Sequence, residues 1–179
     1  MYEFNLLVSC SWDAYGRAKE EILHILRMLD DENPVVKRTV AKGITGVKTS
    51  LEPRDVVHKL KRMFNKDPII LQQTTKWVPV DLWTHSTLNS MRDAVKVLRN
   101  KIRAGEKWRM TMEKRRYTRH HKMEIITALA ELIDEKVDLK NPDKILRVDI
   151  IGRYAGFSVL TPQDIFSVSK PLLDGDGIE

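Results

Sequence analysis

Sulfur able to cross-link the chain is nearly missing. Cys10 is the only cysteine, which excludes an internal disulfide framework and any cysteine-built zinc site. In the strand pattern set out below, it is expected as a small core residue and not as a nucleophile. Long apolar runs are missing too, so no stretch approaches the length of a bilayer span. The opening MYEFNLLVSCSWD carries Glu3 and Asp13 where a secretory leader would have basic residues and then an apolar block. A cytoplasmic location is expected. The sequence also lacks Gly-x-Gly-x-x-Gly, Walker and Gly-x-Ser-x-Gly signatures, and with them the nucleotide and hydrolase chemistries they serve. Gly43 and Gly46 lie between or within predicted strands with no helix directly after them, which reads as a turn or a bulge. No carboxylate pair suggests acid–base catalysis, and no cofactor is expected.

What is present is enough for a core. With 179 residues, 42% of them hydrophobic and 31% charged, the chain can build one large domain or two small ones, and its composition is not that of a disordered protein. The net charge of +6 is unevenly placed. Residues 92 to 122 hold twelve Lys or Arg against three acids, a local +9, while the rest of the chain is −3. Charge of one sign gathered in one stretch implies an anionic partner.

The hydrophobic period predicts the elements. Residues 2–8 alternate like a strand with Phe4, Leu6 and Val8 on one face, and a helix capped by Asp13 runs until Asn33-Pro34 stops the segment. Residues 35–41 and 44–50 read as a hairpin around Gly43, and Pro53 opens a second helix with Val56, Val57, Leu60 and Phe64 inside. KWVPVDLW, 76–83, reads as one strand at an edge or with a bulge, because Pro79 has no N–H to donate. Strand, helix, strand, strand, helix, strand is the order of a ferredoxin-like unit. In the second half Ser86 is the predicted cap of a helix with Leu88, Met91, Val95, Leu98 and Ile102 inward, ended by Gly105. KWRMTME follows as a strand with Trp108, Met110 and Met112 buried. A helix over about 119–135 should bury Met123, Ile126, Leu129 and Ile133, and strands follow at 145–151, 154–160 and 165–169. The expected fold is therefore α/β (α+β) throughout, with units at 1–84 and 85–170 and a tail at 171–179.

The stretch EKWRMTMEKRRYTRHH, 106–121, moves from strand alternation into a knot of cations. Arg92, Lys96, Arg99 and Arg103 follow at spacings of four, three and four on the preceding helix, a row along one side. Lys107 and Arg109 face out from the strand, and Lys114, Arg115, Arg116, Arg119 and Lys122 fill the turn and the next helix start. Were these to converge, they would form a phosphate-binding face, and a helix N-terminus in the same place would add its own N–H groups. Tyr117, His120 and His121 could stack on bases or pack as turn residues. A metal on His120, His121 and Glu124 is disfavoured because Arg115, Arg116, Arg119 and Lys122 would repel a divalent ion. Trp77, Trp83 and Trp108 are expected inside; Trp12, in a loop, is less determined.

VDLKNPDKILRVDIIGRYAGFSV, 137–159, with its Val-Asp-Leu-x-Asn-Pro-Asp element, then Arg147 and Asp149 on one strand and Gly156 on the next, resembles a THUMP domain. The resemblance covers roughly residues 84 to 170, and the first half is similar to the ferredoxin-like unit that precedes THUMP in many members. Whole-chain order most resembles stand-alone THUMP proteins related to the adaptor of tRNA cytidine acetylation. The resemblance implies tRNA binding by both units together. It carries over Lys107, Arg109 and the segment Lys114 to Lys122 as the binding region, and Asn141-Pro142 as a structural turn; Arg92, Lys96, Arg99 and Arg103 rest on charge alone. Because two small units use nearly all the residues, the chain is expected to be non-catalytic and to deliver tRNA to a separate enzyme, with a cytidine acetyltransferase as the implied partner. The rival readings are a small RNA-processing hydrolase using His120 or His121, and an assembly module whose basic face meets an acidic protein.

Overall fold

Leu6 and Val8 are wholly buried under two helices, while Leu7, between them, is buried on the opposite side of the same strand. A strand buried on both faces needs a layer on each, and the computed structural model, which describes residues 2–168, provides them. The first layer pair holds β1 (Leu6–Cys10), α1 (Tyr15–Met28), β2 (Val35–Arg38), β3 (Ile44–Lys48), α2 (Pro53–Lys66) and β4 (Thr74–Pro79). The strands lie in the order β2-β3-β1-β4, all antiparallel, the ferredoxin-like arrangement the element order predicts. One face packs on the helices through Ile22, Ile25, Leu26, Val56, Val57, Leu60 and Trp77. Phe4, expected beside Leu6 and Val8, instead covers Gly46, where a Cβ would lie 2.2 Å from its ring. Gly46→Ala should therefore overpack this contact and lower stability by about 1–3 kcal/mol, read from the denaturation midpoint in urea.

KWVPVDLW does not form one strand. β4 ends at Pro79, and β5 (Leu82–His85) belongs to a second sheet. The transfer takes two residues: Val80 N–H still donates to Asn5 O in the first sheet at 2.9 Å, while Asp81 N–H donates to Phe157 O in the second at 2.9 Å. Consequently Trp77 is fully buried in the first core, and Trp83 is half-buried between the sheets.

The second sheet has the order β5-β8-β7-β6, from β6 (Trp108–Arg115), β7 (Lys144–Ile151) and β8 (Tyr154–Leu160), with β6 parallel to β7 and the other pairs antiparallel. Helices α3 (Leu88–Leu98) and α4 (Lys122–Ala130) cover one face, over Trp108, Met112, Leu146, Val148, Ile150 and Phe157. Thr87, not Ser86, caps α3 by accepting from Ser90 N–H, because the Ser86 hydroxyl donates to Gly152 O instead. The helix over 119–135 is shorter than expected. It begins after His121, and Ile125 with Leu129 makes its buried contacts, leaving Met123 exposed. The last predicted strand reduces to β9 (Phe166–Ser167), which returns to the first sheet beside β4. Residues 169–179, including the expected tail, lie outside the described residues.

The two sheets meet through the faces turned away from their helices. Leu7, Ala41, Ile44, Val80 and Ile151 form a small apolar cluster there. Beside it Arg147 and Asp149, both nearly fully buried, form a two-point ion pair with two contacts of 2.9 Å. At the rim Arg54 grips Asp81 through two bonds of 2.8 Å and donates to Val159 O. Burial alone would push the Asp81 carboxyl up, but Arg54, Lys101 and the Val159 N–H together hold it below the usual carboxylate range.

Candidate nucleic-acid interface

β6 carries or flanks most of the cationic residues singled out by charge, and its eight residues separate its ends by roughly 23 Å at about 3.3 Å per step. The cations fall accordingly into two groups joined by a row on α3. At the start of β6, Lys107 lies 3.4 Å from Asp138, and Arg109 Nη1 donates to Leu139 O at 2.9 Å. Arg103 is exposed, but its neighbours Lys101 and Lys144 are engaged by Asp81 and Glu106. Charge at this end is largely matched by acids.

Along the helices the expected row is partly consumed by structure. Arg92, on α3, bonds Ala128 O and Glu131 at the carbonyl-rich end of α4, and Arg99, just past α3, donates to Leu132 O, just past α4, at 3.3 Å. Lys96 is exposed, with Asp93 at 3.8 Å. Arg99 and Arg103 also lie beyond the last residue of α3, where the helical row has ended.

At the other end of β6 the arrangement changes. Lys114 donates to His120 O at 3.0 Å and lies over the Tyr117 ring at 5.9 Å. The Tyr117 ring packs on the second core and its hydroxyl donates to Ser86 O at 2.9 Å; burial raises its phenol pKa. Tyr117 is thus a fixed post in the turn, not a free stacking platform. Arg115 points back to Asp149, at 3.7 Å. His120 faces Glu124, at 3.4 Å. What remains is a set of exposed side chains, Arg116, Arg119, His121 and Lys122, that make no hydrogen bond or ion pair among the described residues. They lie in the segment that leads into α4 and on its first residue, and α4 has no side-chain cap, so its first backbone N–H groups are open to a ligand beside these cations. Arg116 adopts φ 55, a left-handed conformation uncommon for a side-chain-bearing residue.

Charge counting within one segment misses the neighbours this end acquires from elsewhere in the chain. Gly152 N–H donates to Arg115 O at 3.0 Å, which sets the exposed Arg153 beside the basic turn. A Cβ on Gly152 would lie 3.1 Å from Val40, in the β2–β3 loop that also carries the exposed Lys42. Lys42 Nζ in turn lies over the Trp12 ring, 5.4 Å from its centre. The only advance signal was KRTVAK, 37–42, three cations without an acid; its position next to the basic turn is a consequence of sheet-on-sheet packing.

Fold and site together define an α/β protein of two face-to-face sheets, one end of which carries cations unpaired among the described residues beside a helix start without a side-chain cap. Residues 86–160 match the THUMP domain family. Crystal structures of similar fold include PH1313 from Pyrococcus horikoshii Ot3, at 16% identity and TM-score 0.66 over 92% of this chain and 55% of that one. TrmN from Thermus thermophilus is similar at 14% identity and TM-score 0.56, covering 88% of this chain and 46% of that one. A 4-thiouridine synthetase in complex with RNA and bound ATP aligns at 16% identity and TM-score 0.55, over 92% of this chain and 42% of that one. The chain spans about half the length of these structures, and at such identities the likeness is one of fold. No curated protein matches the sequence.

Proposed function

We propose that this protein binds tRNA through the cationic end of the second sheet and presents it, without catalysing a reaction itself, to a separate modifying enzyme for which a cytidine acetyltransferase is the partner. The observation that carries the reading is the group Arg116, Arg119, His121 and Lys122, unpaired around an uncapped helix start. Side chains that fold stability has not engaged are free for phosphate, and the backbone N–H groups beside them favour the same ligand. The THUMP match and the RNA held by the structurally similar 4-thiouridine synthetase support RNA as that ligand. Phosphate-led recognition of this kind depends on shape and charge, without a base sequence being read.

About three to five neutralised phosphates correspond to a log–log salt slope of roughly −2 to −4 for tRNA affinity. Titration of labelled tRNA across a salt series measures the slope, and a flat dependence would remove the patch as the binding site. The adaptor role is tested by cytidine acetylation of tRNA with the acetyltransferase alone and with this protein added; stimulation is expected. Cleaved or altered nucleotides after incubation of tRNA with this protein and a divalent metal would replace the adaptor reading with an enzymatic one.

A further inference from the structure

Trp12 is the most exposed of the four tryptophans at 69%, whereas Trp77 and Trp108 are buried and Trp83 is half-buried between the sheets. A large aromatic ring left in water is not explained by packing. Its backbone is nonetheless fixed. Ala14 N–H donates to Ser11 O at 3.0 Å across the turn, and Cys10 N–H donates to Gly43 O at 2.9 Å just before it. Gly43, at φ 82, packs against the same turn: a Cβ there would lie 2.9 Å from Cys10 O, with the Trp12 backbone in ordinary contact at 3.8 Å. The turn that carries the ring is therefore held in place, and Lys42 Nζ lies over the ring, 5.4 Å from its centre.

The same loop that brings Lys42 to Trp12 brings Val40 against Gly152, and Gly152 against the carbonyl of Arg116. Through Lys42, Val40 and Gly152, Trp12 in the first half of the molecule is thus linked to the backbone of the basic turn in the second. An aromatic face next to cations, contiguous with a phosphate-binding patch, fits a nucleotide: the base on the ring, its phosphate on the ammonium. A duplex keeps its base faces stacked inside, so the ring can take only an unpaired base.

We propose that Trp12 is a stacking shelf for an unpaired nucleotide of the bound RNA, with Lys42 holding the adjoining phosphate. The proposal rests on the RNA-binding reading above and adds to it a preference for RNA with a single-stranded segment beside a helical one. Three properties follow. The intact chain binds a hairpin carrying a single-stranded adenosine extension more tightly than the same hairpin with a blunt end. Trp12→Ala loses roughly tenfold in affinity for the extended hairpin, the scale of one base stacked on an aromatic, and little for the blunt one. Trp12→Phe restores most of the loss.

The test is titration of both hairpins against the wild-type chain and the two variants, followed by anisotropy of the labelled RNA and by intrinsic tryptophan fluorescence. Quenching of the wild-type signal by the extended hairpin, absent in Trp12→Phe, is expected, since the other tryptophans are shielded. Equal binding of both hairpins by wild type and Trp12→Ala, without quenching, would overturn the shelf and leave the cationic patch standing. Failure of the wild type to bind either hairpin would overturn the RNA-binding reading and the shelf with it. Quenching of Trp12 by a poly-glutamate peptide as strongly as by RNA would also overturn the shelf, assigning this surface to an acidic protein.

Discussion

Asp149→Ala is expected to destabilise the protein by about 3–5 kcal/mol, because it leaves the Arg147 guanidinium buried between two sheets without its counter-charge. Burial favours the neutral form of Arg147, yet the Asp149 carboxylate outweighs it and holds the arginine pKa above its ordinary value. Once that carboxylate is gone, the sheets must either bury an uncompensated charge or part to admit water. Arg115 loses its partner as well, at 3.7 Å, so the basic turn loosens together with the interface. Urea denaturation of the wild type and the variant measures the cost. The double replacement Arg147→Met with Asp149→Leu should cost much less than Asp149→Ala alone, since it removes both charges and keeps the volume. A loss below about 1 kcal/mol for Asp149→Ala would mean that water already reaches the pair.

Reversing Arg116 and Arg119 to glutamate together should weaken tRNA binding at least roughly a hundredfold, as two charge-assisted contacts are each worth about 1.5 kcal/mol or more. Neither side chain has a partner among the described residues to lose, so the thermal midpoint should stay near that of the wild type. Reversing Lys59 and Lys66 on α2, also exposed, changes the net charge equally and should cost only a few-fold through long-range attraction. Equal losses in the two pairs would mean that RNA senses net charge and not a site. Arg115 is a poor choice for this experiment despite its place in the cationic run, since its contact with Asp149 would mix folding with binding.

The ferredoxin-like half was legible because its helices and strands each bury one regular stripe: Val56, Val57 and Leu60 on α2 all reach zero exposure. Legibility failed where a residue answers to a partner far away in sequence. Ser86 is as good a cap as Thr87 on paper, but Gly152 O takes its hydroxyl. KWVPVDLW has strand chemistry throughout, yet it splits because its two ends pair with Leu6–Cys10 and with Tyr154–Phe157 in different sheets. The cations show the same limit. Spacing placed Arg92 and Arg99 on one helix side, but only the packing of α4 against α3 reveals that Arg92 is bound to Ala128 O near the end of α4 and Arg99 to Leu132 O just past it.

By itself, then, the sequence determined that this chain is α/β with two hydrophobic patterns in succession, that its excess charge lies between residues 92 and 122, and that its second half has THUMP character. Period and composition are local quantities, and the chain states them directly. Tertiary structure alone decided which cations remain unpaired, and that the loop carrying Lys42, over Trp12, reaches Gly152 next to the basic turn. Those outcomes depend on the back faces of two sheets meeting around Arg147 and Asp149, a contact between residues distant in sequence that no local pattern encodes.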